Sequence, residues 1–268
     1  MSSVRLAIAG AGGRMGRVLI DVATSTPGLM LGSAFDMPGS PFAGHDAGEL
    51  CAAATGVKIG TDAAAALADA DVLIDFTRPE GTIAHAKACR AAKRAMVIGT
   101  TGFSAAQVDE IRAISRDIAI MMAPNMSIGV LLMAKLVEMA ARVLGPQFDA
   151  EVFEFHHGRK IDAPSGTALM LGRAIANARG ESFDDEAVFA RHGNTGERKA
   201  GTVGFASLRG GDVVGDHTVY FAGTGERIEV THRSTSRFTY AQGALRAARF
   251  IAEKAPGLYD MDDVLGLR

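Results

Sequence analysis

The chain has 268 residues, 48% of them apolar and 6% aromatic, with 32 glycines. That length suits one large domain or two moderate ones, and the glycine and alanine content suits an α/β enzyme with many tight strand-to-helix turns. The formal net charge is −2, with acids and bases interspersed, so no basic stripe supports nucleic-acid or membrane-surface binding.

Cys51 and Cys89 lie far apart and match no metal-ligand spacing, so no metal site is expected. Their scarcity fits a reducing compartment. The N-terminus runs directly into a glycine-rich motif, which leaves no room for a signal peptide, and the apolar runs are too short to span a bilayer. The expectation is a soluble, cytoplasmic protein.

Val4–Ala9 is a short apolar run bounded by glycine, the pattern of a strand buried on both faces. Gly10-Ala11-Gly12-Gly13-Arg14-Met15-Gly16 follows, then a helical stretch through Val18, Leu19 and Val22. Strand, glycine turn and helix form the context of a dinucleotide site, where the backbone approaches a pyrophosphate at a helix N-terminus. The spacing departs from the strict G-x-G-x-x-G motif, because Met15 holds the third glycine position and Gly16 comes one residue later. A second strand, Leu29–Phe35, ends at Asp36, twenty positions after Gly16. An acid there can accept from the adenosine ribose hydroxyls and disfavours a 2′-phosphate. Met37 supplies no compensating charge, although Arg14 can. The reading leans to NADH and leaves NADPH open.

The alternation continues with a strand at Asp71–Phe76, the loop Thr77-Arg78-Pro79 and an alanine-rich helix from Glu80. Ala95–Ile98 is the next strand and ends in Gly99-Thr100-Thr101-Gly102. Ser104-Ala105-Ala106-Gln107 has the form of a capping box. Ile118–Met122 is a further strand, ending in Ala123-Pro124-Asn125-Met126. Repeated β-α units predict a doubly wound parallel sheet, which binds ligands beyond the carboxyl ends of its strands. Gly10, Thr77, Gly99 and Asn125 all fall there.

Ser127 can cap a helix from Ile128 to Leu144, terminated by Gly145-Pro146. Beyond it the pattern shifts to strands: Glu151–His157, Thr202–Leu208, and a hairpin of His217–Phe221 with Arg227–Thr231 around Gly223-Thr224-Gly225. The polar stretch between Arg179 and Ala200 has the pattern of a loop. An open sheet with one helix leaves a face that another subunit could cover. The closing helix, from about Phe238, could return to the first domain. The expected boundaries are 1–127 plus 237–268 for a dinucleotide-binding domain and 128–236 for a substrate-binding and oligomerisation domain.

The strand at Glu151–His157 ends in two histidines, followed by Gly158-Arg159-Lys160-Ile161-Asp162-Ala163-Pro164-Ser165-Gly166-Thr167-Ala168. Period-two alternation puts Phe153 and Phe155 on one face and Glu154 and His156 on the other. Ser165 can cap the helix that carries Leu169, Leu171 and Ile175. Protonatable side chains thus converge with a helix start, a device suited to holding a small anion and delivering a proton to it. Taken alone, the same residues also suit an ordinary strand followed by a solvated loop charge.

Four stretches carry a resemblance: Gly10–Gly16, Asp75–Glu80, Gly99–Gly102 and above all His156–Ala168. Together with Gly201–Ala206 and Asp260–Leu265 they make the chain similar, essentially end to end, to the 4-hydroxy-tetrahydrodipicolinate reductase (dihydrodipicolinate reductase) family of bacterial lysine and diaminopimelate synthesis. The resemblance implies a Rossmann domain interrupted by an α+β substrate and oligomerisation domain, assembled as a homotetramer. It implies NAD(P)H reduction of a cyclic unsaturated dicarboxylate.

By the same resemblance, the proton donor falls on His156, the catalytic lysine on Lys160, and substrate contacts on His157, Gly166 and Thr167. Cofactor contacts fall on Gly10, Ala11, Gly12, Gly13, Arg14 and Met15, on Asp36, on Gly99, Thr100 and Thr101, and on Ala123, Pro124, Asn125 and Met126. Many members carry Glu where this chain has Asp36, and some carry Arg where it has Met37; both departures bear on coenzyme preference. The alternatives are another small-molecule amino-acid dehydrogenase, or a non-catalytic NAD(H)-binding sensor that would have no need of His156 or Lys160.

Overall fold

The computed structural model describes residues 3–51 and 54–267. In chain order, β1 (Val4–Ala9), α1 (Arg14–Ser25), β2 (Leu29–Phe35), β3 (Ile59–Gly60), α2 (Ala63–Ala68), β4 (Val72–Asp75), α3 (Pro79–Ala92), β5 (Ala95–Ile98), α4 (Ala105–Ile114) and β6 (Ala119–Met122) come first. They are followed by α5 (Ile128–Leu144), β7 (Asp149–His156), α6 (Gly166–Arg179), α7 (Phe183–Glu186), β8 (Ala187–Val188), β9 (Val203–Arg209), β10 (Gly215–Gly223) and β11 (Glu226–Ser234). The chain closes with α8 (Phe238–Ile251), β12 (Gly257–Tyr259) and α9 (Met261–Leu265). It divides into two compact units, Met1–Ser127 with Arg237–Arg268, and Ile128–Ser236.

Among the described residues, the first unit holds a seven-stranded sheet in the order β12-β6-β5-β4-β1-β2-β3, with every pairing parallel. This is the doubly wound Rossmann arrangement. The strands read as apolar because they are buried on both faces: Leu6, Ala7, Ile8, Leu73, Ile74, Val97 and Ile98 are all fully buried. The order reverses at β1, whose neighbours β2 and β4 lie on opposite sides, so the crevice beyond β1 is the topological switch point. The Ser104–Gln107 capping box opens α4 with both reciprocal bonds made.

The second unit is a mixed sheet in the order β11-β10-β7-β9-β8. Its inner face carries Ala150, Val152, Val203, Phe205, Val219 and Phe221, buried against Met133 and Val137 of α5 and Leu171 and Ile175 of α6. Two helices therefore cover this face, not the single helix expected. The stretch from 179 to 200 is also more ordered than a loop. It contains α7 and β8, and Arg191 and Arg198 both bond the Glu151 carboxylate of β7, Arg198 reaching Asp149 as well. No helix among the described residues is long and apolar enough to cross a membrane.

Candidate active site

At the switch point the loop after β1 is built from glycines whose missing Cβ the packing uses. Gly10 sits at φ +66°, and a Cβ on it would lie 2.9 Å from the Thr77 methyl. A Cβ on Gly16 would lie 2.2 Å from the Gly10 carbonyl oxygen, so Gly16 performs the close-packing duty of the third glycine although the spacing is one residue longer. The N-cap of α1 is Gly13, which makes no side-chain cap bond, so this helix start carries its positive end without a competing side chain. Gly13 and Arg14 are exposed, Ala11 is buried, and Gly12 and Met15 are half-buried. The Asp36 carboxylate accepts from the Gly12 N–H at 3.1 Å, the Met37 N–H at 2.8 Å and the Ser40 hydroxyl at 3.1 Å, which pins it against the glycine loop.

The neighbouring strand ends are held by the buried Asp75 carboxylate. It accepts from the Thr77 N–H and hydroxyl, both at 2.7 Å, and pairs with His85 Nδ1 at 2.7 Å. Thr100 joins this network, with its Oγ1 2.9 Å from that of Thr82 and 3.4 Å from Asp75, so its hydroxyl is committed to the scaffold while Thr101 is exposed. Gly99 is required by packing, because a Cβ there would meet the Phe76 ring at 2.2 Å. Ala123 and Met126 are buried, Pro124 is exposed, and Asn125 Oδ1 accepts from the Ser127 N–H at 2.8 Å. A glycine cradle at an uncapped helix start, with a carboxylate beside it, fits a dinucleotide on chemical grounds.

In the second unit, β7 alternates strictly, with Ala150, Val152, Glu154 and His156 buried on the inner face. The register sets His156 opposite Arg209 of β9 and Glu154 opposite His217 of β10. These four side chains form one cluster. Arg209 donates to both oxygens of Glu154 at 2.8 Å, a bidentate fork. His156 Nδ1 lies 2.5 Å from Glu154 Oε2, and the Ser165 N–H donates to Oε1 at 3.3 Å. Ser165 caps α6 by accepting from the Ala168 N–H, and its hydroxyl also meets His217 Nε2 at 3.0 Å. The rings of His156 and His217 meet edge to face, with centroids 5.1 Å apart.

Burial pushes the Glu154 carboxyl up, but the Arg209 fork, with Ser207 and His156, outweighs it and holds the group below the usual carboxylate range. For His156, burial dominates and lowers the imidazole below its ordinary value, with Glu154 opposing that shift. Burial, then the nearby His156, drives His217 down to about 3.

Past the strand, Lys160 donates to both oxygens of Asp162 at 2.8 Å, so its ammonium is already paired within the loop. His157 lies outside the strand, and its buried Nδ1 finds no partner among the described residues. Gly166 opens α6 and is exposed; a Cβ there would meet nothing within 4 Å, so a ligand can reach this helix start. Thr167 follows in the same turn and is half-buried. His156, Lys160 and the start of α6 thus share one neighbourhood. Glu154, Arg209 and His217 also belong to it, although none of them stands out as a site residue in the sequence. For Glu154 the period-two alternation was the available signal, whereas Arg209 needed the strand register.

A parallel sheet with a glycine-lined switch point, and a separate sheet presenting a carboxylate-bound imidazole beside a lysine and a helix start, define a pyridine-nucleotide-dependent oxidoreductase. The chain matches the family descriptions "Dihydrodipicolinate reductase, N-terminus" over residues 4–126 and "Dihydrodipicolinate reductase, C-terminus" over residues 129–265. It belongs to the dihydrodipicolinate reductase family. A 4-hydroxy-tetrahydrodipicolinate reductase of Aromatoleum aromaticum is 58% identical, over all of this chain and 97% of the relative. One of Nitrosospira multiformis is 54% identical over the whole of both. Among solved structures, a dipicolinate-bound dihydrodipicolinate reductase from Paenisporosarcina sp. TG-14 superposes with a TM-score of 0.77 at 25% identity, covering 97% of this chain and 98% of that one. An amine dehydrogenase from Mycobacterium smegmatis shares the fold at 12% identity, with a TM-score of 0.62 over 98% of this chain and 96% of that one. The activity is NAD(P)H-dependent reduction of 4-hydroxy-tetrahydrodipicolinate, a step in lysine biosynthesis.

Proposed function

We propose that His156 is the proton donor of this reduction and that Lys160, His157, Gly166 and Thr167 hold the substrate. The observation that carries this reading is the buried His156–Glu154 pair beside Lys160 and the start of α6. On going from the 4-hydroxy-tetrahydro ring to the tetrahydro ring, a hydroxyl leaves as water and a hydrogen takes its place, which needs one hydride and one proton. The reduced coenzyme supplies the hydride when bound. His156 Nε2–H supplies the proton, and the imidazole is left neutral to be reprotonated from solvent.

A substrate of this class carries two carboxylates. Lys160 has three N–H donors and spends two on Asp162, so one is left for a carboxylate oxygen. The half-buried His157 ring offers a further polar contact. The second carboxylate suits the exposed helix start at Gly166 and Thr167. The dipicolinate bound to the Paenisporosarcina reductase is a planar ring with the same two carboxylates, which supports a cyclic dicarboxylate as the ligand class.

For the coenzyme we propose the Gly10–Met15 loop as the pyrophosphate cradle. Asp36 is placed at the adenosine ribose, and the strand ends Gly99–Thr101 and Ala123–Met126 at the remainder. Asp36 with the uncharged Met37 favours NADH, and NADPH can substitute for it. We further propose a homotetramer built on the outer face of the second sheet, and a cytoplasmic location. Both cysteines are free, as thiols are in a reducing compartment.

The test is a coupled assay in which the condensation product of aspartate semialdehyde and pyruvate is offered with NADH and then NADPH. NADH should serve at least as well as NADPH, and a kcat/KM strongly favouring NADPH would transfer the ribose contact to Arg14. In the same assay Lys160→Ala should lower kcat and raise the substrate KM. Wild-type values for that variant would remove Lys160 from the site.

A further inference from the structure

We infer that Glu154 is the positioning residue for His156: clamped by Arg209, it fixes the imidazole with Nδ1 carrying the proton and Nε2 presented to the substrate. The inference rests on the reading of His156 as proton donor and extends it to a residue that touches no substrate.

The geometry leaves the carboxylate little freedom. The Glu154 side chain is 1% exposed, and its oxygens are shared among the two Arg209 nitrogens, the Ser165 N–H and His156 Nδ1. An ionised carboxylate only accepts, so the 2.5 Å contact obliges Nδ1 to carry hydrogen. Arg209 is itself anchored, because its second nitrogen also donates to the Asp162 carbonyl at 2.7 Å. The opposite end of the ring is kept clear by Gly215, where a Cβ would lie 3.0 Å from His156 Nε2. One side of the imidazole is therefore bolted to the sheet, and a glycine beside the other leaves room for a reacting atom.

A proton donor also needs enough imidazolium. The charged and titratable groups around His156 are Glu154 on its own strand, Arg209 on β9, His217 on β10, and Lys160 with Asp162 in the following loop. The Glu154–Arg209 and Lys160–Asp162 pairs each balance, and His217 is held neutral by burial. Among the described residues Glu154 is the one carboxylate bonded to the ring itself, and it favours the protonated form.

The test compares Glu154→Gln, Glu154→Asp and His156→Gln in the same kinetic assay, with circular dichroism to verify the fold. Glu154→Gln should lower kcat at pH 7 about tenfold or more, while the substrate KM changes less than about threefold. The alkaline limb of its kcat–pH profile should move to lower pH, and Glu154→Asp should recover part of that displacement. In the wild-type protein, nitrogen-15 NMR should show the neutral His156 ring protonated at Nδ1, a readout that needs no variant to fold. An Nε2-protonated ring, or a folded Glu154→Gln enzyme with wild-type kcat and pH limb, would overturn the inference. If His156→Gln itself turns over normally, the parent reading fails first; loss in His156→Gln with an unaltered Glu154→Gln would sink the positioning role alone.

Discussion

His217 shows what burial does to a single side chain. It is 3% exposed and its pKa falls to about 3, so it stays neutral in the fold while the unfolded chain would protonate near 6.5. A folded value below the unfolded one means that its stabilising contribution is complete above pH 6.5. The contribution is lost as pH falls from there toward 3, because only the unfolded chain gains the proton. At about 1.4 kcal/mol per unit the full loss is on the order of 5 kcal/mol. His156 and His232, both lowered by burial, act in the same direction, and Glu154 extends the loss through the carboxylate range. Urea unfolding between pH 7.5 and 5 should therefore show falling stability, with a shallower slope in His217→Gln. An unchanged slope would mean that His217 is not held neutral by the fold.

Among the elements, β1 and α1 are joined by a loop whose packing is decided by one missing Cβ. Gly16→Ala forces a methyl to within 2.2 Å of the Gly10 carbonyl oxygen. Overpacking of this kind costs about 1–3 kcal/mol. The variant should melt lower and show a coenzyme KM raised several-fold with the substrate KM nearly unchanged. A wild-type melting temperature and coenzyme KM would show that the loop relaxes freely. The longer elements were legible because their periodicities are strong: the apolar runs of β1, β4, β5 and β6, the alternation of β7, and the Ser104–Gln107 box. The short ones were not. β3 has two residues and β12 three, too few to display a period, and α2 is an alanine run whose start is set by Asp62 accepting from the Ala64 and Ala65 N–H groups. The stretch from 179 to 200 looked like a loop because its anchors lie far away in sequence: Arg191 is 40 positions from its partner Glu151.

For the whole molecule, the second unit is an insertion between β6 and α8 of the first, so the nucleotide fold is completed by the end of the chain. The outer face of the inserted sheet carries Phe153, Phe155 and Tyr220, half-buried, and Leu208, 44% exposed. If that face joins copies in a homotetramer, light scattering on the eluting wild-type protein should give four times the chain mass, and Leu208→Glu a smaller species. A monomeric wild type would remove the assembly from the proposal. Sequence alone determined the βα alternation and the glycine loop with Asp36, because each is written in neighbouring residues whose spacing has a local physical meaning; the string from His156 to Thr167 was marked out by the family resemblance. Tertiary structure alone decided what surrounds His156. Arg209 lies 55 positions from Glu154, and His217 lies 52 from Ser165. They meet because β9 and β10 pair with β7 in one register, and a register is fixed by the packing of a whole sheet face.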